Sequence, residues 1–174
     1  MTDASSPDSA PTASQPNTDS DNVRTAITGW AYVAIQGVLI VALVVLPSRD
    51  DWPTPSWLVS AAGVLFFGGF VIMAIAAFGL RLALTATPVP NGRGRLTTNG
   101  LYRYARHPIY TGVLAIVVAM TLRSGSFISL AVVTVAVVFF NQKAQWEEAR
   151  LVEHFEGYEA YAAITPRFVP RPWK

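Results

Sequence analysis

Residues 25 to 46, "TAITGWAYVAIQGVLIVALVVL", carry no charge, and residues 57 to 80, "WLVSAAGVLFFGGFVIMAIAAFGL", carry none either. At about 1.5 Å of rise per residue, each is long enough for a helix that crosses a hydrocarbon core about 30 Å thick. Two further runs, "IYTGVLAIVVAMTL" from Ile109 and "SFISLAVVTVAVVFF" from Ser126, are near the lower limit for a span and are divided only by "RSG". A tight helical hairpin fits them better than one re-entrant element, which would carry Arg123 and Ser124 into the bilayer at its tip. The pattern predicts an all-α integral membrane protein of four transmembrane helices, over about 25–46, 57–80, 108–122 and 126–142, the last two forming the hairpin. Trp52 and Trp57 stand where an interfacial aromatic belt would place them.

Beyond Phe140 the fourth helix is expected to leave the membrane as "NQKAQWEEARLVEHFEGYEAY". Trp146, Leu151, Phe155 and Tyr158 recur there at near-helical intervals, with Glu147, Arg150 and Glu153 on other faces, the pattern of an amphipathic helix lying at the cytoplasmic interface. Residues 1 to 22 are Ser, Thr, Asp, Pro and Ala with almost nothing to bury, which predicts a disordered tail ahead of a membrane domain over 23–174. The tail lacks the basic start and apolar centre of a secretory signal, so the spans themselves must direct insertion.

Composition and charge sharpen this. Hydrophobic residues make up 52% of the chain, as expected for a small membrane-embedded unit. With no cysteine, disulfides, thiolate nucleophiles and zinc-thiolate sites are excluded. Arg24, Arg81, Arg93, Arg95, Arg103, Arg106, Lys143, Arg150, Arg167, Arg171 and Lys174 fall on one side of the expected topology, and only Arg49 and Arg123 on the other. That asymmetry puts both termini and the loop from Arg81 to His107 in the cytoplasm. The acidic tail and the lack of an organelle-targeting pattern fit a bacterial inner membrane. Nothing in the charge pattern suggests nucleic acid as a partner.

The seam "GLYRYARHPIYTG", from Gly100 to Gly112, carries the candidate chemistry. Pro108 suits the first turn of a helix and pushes His107 toward an extended conformation. The free N–H groups of that turn, with Arg103 and Arg106 beside them, can bind a carboxylate or phosphate; the same arginines can equally serve lipid headgroups and topology. Glu147 and Glu148 are either a solvated helix face or carboxylates turned to the arginine loop, able to hold a cation or a cofactor hydroxyl. Lys143, one turn before Glu147, offers a plain ion pair as the rival. Tyr102, Tyr104 and Tyr110 can be interface anchors or flat faces for a purine or a sulfonium. His154 reads as a surface residue, and "NGRGRLTTNG" follows no strand and is no dinucleotide fingerprint. Two histidines far apart in sequence give no metal-ligand spacing.

The blocks "GLYRYARHPIYTG", "EEARL", "YEAY" and "TPRFVP", in this order and spacing, resemble the isoprenylcysteine carboxyl methyltransferase family and, more loosely, the membrane phospholipid methyltransferases. The resemblance covers roughly residues 87 to 170 and implies S-adenosylmethionine as cofactor, bound at the cytoplasmic end of the last two helices over about 87–107 and 143–174. It implies a lipid or lipid-like acceptor entering from the membrane. Carried over, the cofactor pocket takes Gly94, Arg95, Leu96, Thr97, Tyr102, His107, Pro108, Ile109, Tyr110, Glu147 and Glu148. The implied reaction is direct methyl transfer, which needs alignment more than acid or base. Two departures stand out: Lys143 occupies the place of the family's carboxylate-orienting arginine, giving a point charge instead of a fork, and four spans are counted where the family usually has five or more.

Membrane sterol and steroid reductases, which use NADPH, share part of the signature. They typically read "HPNY" followed by Gly and an acid, where this chain has Ile109 and Val113. A non-catalytic protein on the same scaffold is the third reading.

Overall fold

The structure, a computed structural model, describes residues 18–46, 48–49, 51–80 and 96–170. Among them it is all-helical: α1 (Thr18–Val45), α2 (Ser56–Leu80), a 3-10 turn (Gly100–Arg103), α3 (Pro108–Ser124), α4 (Phe127–His154) and α5 (Tyr158–Ile164). Helices α1, α2 and α4 are long and apolar enough to cross a membrane, while α3 is a shorter apolar helix of 17 residues. Helix α1 starts at Thr18, within the stretch expected to be a tail. Residues 1–17 lie outside the described residues.

Helices α2 and α3 share the most extensive interface in the chain. The reason is a stripe of small residues. Ala62, Gly69 and Ala76 are buried at seven-residue spacing on α2, and Gly112 and Ala119 at the same spacing on α3. Backbones meet at the crossing, where a Cβ added to Gly69 would lie 2.7 Å from the Gly112 carbonyl oxygen. Such close approach maximises van der Waals contact where lipid tails offer no hydrophobic drive for association. Helix α1 instead packs on α3 and α4. Its Leu43 joins Val113, Val117, Val133, Ala136, Phe139 and Phe140 in the core, with Tyr32 and Leu39 packed against that cluster.

Opposite the arginine-rich end, the loop between α1 and α2 straps the α3–α4 turn. Gly125 closes α3 at a φ of 60°, the left-handed conformation glycine adopts without strain. The Arg49 and Asp51 N–H groups donate to Ser124 and Gly125 at 2.7 and 2.9 Å. The Asp51 carboxylate then accepts from the Phe127 N–H at 2.8 Å, capping α4 from a distant part of the chain.

At the arginine-rich end the fourth helix continues as expected, but it stops short of the expected Tyr161. Residues from Asn141 to His154 extend α4 without a break, and the chain then turns at Gly157, with φ 85°, into the short α5, so the stretch up to Tyr161 is two helices and not one. The faces differ as well. Lys143, Ala144 and Glu148 are buried, and Tyr158 with them, so the inward face of α4 beyond Phe140 is partly charged. Neighbouring polar groups satisfy those charges, as described next, which a pattern of apolar residues alone does not reveal.

Candidate functional site

Pro108 sits in the first turn of α3 as its locked φ favours. His107 caps that turn at φ −123°, ψ 62°, outside the helical region though short of fully extended, and its carbonyl accepts from the Thr111 N–H at 3.0 Å. The segment after α5 runs alongside. Arg106 N–H donates to the Pro166 carbonyl at 2.9 Å, His107 N–H to Arg167 at 3.0 Å, and the Thr111 hydroxyl to Phe168 at 2.7 Å. The "TPRFVP" block is thereby stitched to the "RHPIY" block, and its Phe168 ring stands 6.2 Å from His107.

Helix α4 supplies the carboxylates. Successive residues on a helix point about 100° apart, so two adjacent glutamates serve different partners. Glu147 Oε1 accepts from the Tyr110 hydroxyl at 2.5 Å, and its Oε2 lies 3.7 Å from His107 Nδ1, beyond hydrogen-bond reach. Glu148 Oε1 is 3.0 Å from His107 Nε2 and 3.4 Å from Arg106 Nη2. Arg167 grips Glu148 with a fork, Nε to Oε1 at 3.0 Å and Nη2 to Oε2 at 2.8 Å, while its Nη1 donates to Asn141 at 2.6 Å. The imidazole of His107 stacks on the Tyr110 ring at 5.3 Å with the planes nearly parallel.

The electrostatics separate the two acids, both beyond the apolar part of α4. Burial works against the charge of Glu148, but the hydrogen bonds from His107 and Arg167 and the charge of Arg106 outweigh it and hold the carboxyl down to about 2. An ionised Glu148 only accepts, so His107 Nε2 is the donor between them. Burial instead pushes Glu147 above the usual carboxylate range, against the Tyr110 hydrogen bond and the charges of His107 and Lys143. One carboxylate is a fixed anchor for the loop; the other keeps an oxygen to offer.

Of the residues picked out from sequence, His107, Pro108, Ile109, Tyr110, Glu147 and Glu148 come together at the mouth of α3 and α4. Tyr102 is buried beside α2, its carbonyl accepting from Tyr161 OH at 2.6 Å, and burial pushes its phenol up to about 12. Leu96 and Thr97 are half-buried ahead of the 3-10 turn; Gly94 and Arg95 lie outside the described residues. Tyr104 and Arg103 are exposed, and His154 is exposed with its ring on the Arg150 carbonyl. The Lys143–Glu147 ion pair does not form: Lys143 Nζ donates to Gln36 Oε1 on α1 at 2.8 Å and lies 5.1 Å from the centre of the Tyr110 ring.

Sequence reasoning left three contributors unplaced. Arg167 was signalled only by the last block and Asn141 only by opening the polar stretch after Phe140, and Gln36 by being an amide in an apolar span, which is costly without a partner. Two buried polar atoms in this region, Arg106 Nε and Tyr158 OH, have no hydrogen-bond partner among the described residues.

A family model described as phospholipid methyltransferase matches residues 57–157, more than half of the chain. The protein-S-isoprenylcysteine O-methyltransferase of Schizosaccharomyces pombe is 31% identical over 114 residues, which is 64% of this chain and 48% of that protein. The chain thus spans about half the length of the curated relative it matches.

Proposed function

The chain belongs to the phospholipid methyltransferase family, and from that premise we propose that it is an integral membrane methyltransferase using S-adenosylmethionine and acting on a lipid-like or small hydrophobic acceptor at the cytoplasmic face. The observation that carries this reading is the divided pair of acids, Glu148 spent on His107, Arg106 and Arg167 and Glu147 held by Tyr110, its second oxygen without a hydrogen bond among the described residues.

The residues fit the cofactor. A zwitterion with hydroxyl, ammonium and carboxylate groups asks for an acceptor, a donor and a flat face. Glu147 Oε2, the unpartnered Arg106 Nε and Tyr110 are of those kinds. On this reading Leu96, Thr97, Tyr102, His107, Pro108, Ile109, Tyr110 and Glu147 hold the cofactor together with Gly94 and Arg95, and Glu148 keeps the loop in place. When bound, S-adenosylmethionine would supply an activated methyl on a sulfonium, taken in line by a carboxylate or an amine as the neutral thioether leaves. The protein's part is alignment and exclusion of water. The name of the yeast relative makes a carboxylate of isoprenylcysteine type the first acceptor to try, and phosphatidylethanolamine the amine to set against it. Four spans with both termini in the cytoplasm, supported by the charge asymmetry of the loops, complete the proposal, and the acidic composition of residues 1–22 favours a bacterial cell membrane.

Calorimetric titration of the detergent-purified protein with S-adenosylhomocysteine, and separately with NADPH, tests it. Micromolar binding of the first alone is expected; binding of NADPH alone would transfer the chain to the reductase chemistry.

A further inference from the structure

Gln36 is the one side-chain amide between Thr25 and Val45 of α1, and it precedes the segment matched to the family. It is half-buried on the stripe of α1 that also carries Tyr32, Leu39 and Leu43 and faces α3 and α4. Its partner Lys143 is only 4% exposed. A buried ammonium is ordinarily paired with a carboxylate, because an unneutralised charge away from water is expensive. Here Glu147 is available one helical turn away, yet no ion pair joins them; Tyr110 takes Glu147 and Gln36 takes Lys143. An ammonium has three donors. One is used on a neutral amide, which leaves the ammonium its charge, with the Tyr110 ring 5.1 Å away and no carboxylate in contact among the described residues. Aromatic rings pack on the same helices, with Tyr32 5.7 Å from Phe139 and 5.4 Å from Trp146, and Tyr110 5.1 Å from Phe140.

We propose that Gln36 determines acceptor specificity: by holding Lys143 away from Glu147 without neutralising it, Gln36 tunes the site to acceptors ending in a carboxylate and against those ending in an ammonium. The inference rests on the methyltransferase reading. A helix outside the family-matched segment thus selects the charge of what the family-matched helices methylate. Gln36 is a positioning residue, acting through Lys143.

Equilibrium binding of N-acetyl-S-farnesylcysteine and of its methyl ester to the full-length protein in detergent, with and without S-adenosylhomocysteine, tests this without requiring turnover. The native protein is expected to prefer the acid by about tenfold or more, as charge-assisted hydrogen bonds do. Q36E still accepts a hydrogen bond from Lys143 but cancels its charge, so the preference should vanish while S-adenosylhomocysteine affinity stays within about twofold. A merely structural contact would survive in Q36E, and a retained preference there overturns the proposal. Equal affinity for acid and ester in the native protein does so as well. Should Q36E fail to fold, Q36M removes the acceptor, frees Lys143 toward Glu147 and should also lose the preference; retention overturns the proposal. Loss of S-adenosylhomocysteine binding in the native protein would count against the methyltransferase reading alone, since the acid and ester comparison is made without it too.

Discussion

Arg167 holds Glu148 through two parallel hydrogen bonds, 3.0 and 2.8 Å long, and so ties the segment after α5 to the inner face of α4. The same carboxylate receives His107 from the entrance of α3. Three parts of the chain, 41 residues apart on one side and 19 on the other, are thereby fixed on one side chain. Charge-assisted, bidentate contacts of this kind are the strong ones.

Arg167→Ala should therefore lower the thermal unfolding midpoint in detergent by roughly 4–10 °C, corresponding to about 1.5–3 kcal/mol for a lost charged hydrogen-bond pair. Arg167→Lys should fall between, because lysine keeps the charge and loses the fork. An unchanged midpoint in both would mean that His107 and Arg106 suffice to hold the carboxylate.

Stability should also depend on pH through Glu148. Its folded value of about 2 lies below the unfolded 4.5, so its contribution is fully present above about 4.5 and is lost as pH falls toward 2. That contribution is on the order of a few kcal/mol. Melting curves at pH 7, 5 and 3 should show the native midpoint dropping mainly below 5, and Glu148→Gln starting lower at pH 7 with a shallower drop. Parallel curves would remove Glu148 from the acid response.

Glu147→Gln should leave the fold intact, since the amide oxygen can still accept from Tyr110, and weaken S-adenosylhomocysteine binding by more than about tenfold, the scale of one charge-assisted hydrogen bond. Calorimetry decides it; equal affinity would take Glu147 out of the cofactor site.

Lys143→Ala should keep that cofactor affinity nearly intact and reduce turnover of a carboxylate acceptor. A matched loss of cofactor binding would instead make Lys143 a packing residue between α1 and α4.

The α2–α3 crossing yields a paired test. A Cβ at Gly69 meets the Gly112 carbonyl, whereas one at Gly68 meets nothing within 4 Å. Gly69→Ala should cost about 1–3 kcal/mol through overpacking, and Gly68→Ala, its neighbour, should be neutral or slightly stabilising. Similar midpoints for the two variants would contradict the close crossing.

Hydropathy and its period were enough to find the helices. Apolar length placed α2 and the apolar part of α4 within a few residues and α1 apart from its first seven, and Pro108 marked the start of α3, because these signals depend only on local backbone and solvent preferences. The motif blocks also brought His107, Tyr110 and the two glutamates to notice. What sequence did not divide was the labour among them. Whether Lys143 reaches forward to Glu147 or across to Gln36, and which of two adjacent acids is consumed by Arg167, depends on which helices face one another at close range. The continuation of the fourth helix was legible, but the burial of Lys143 and Glu148 on its inner face was not. A buried charge is tolerated only where distant partners converge on it, and that convergence is a property of the packed tertiary structure, not of any window along the chain.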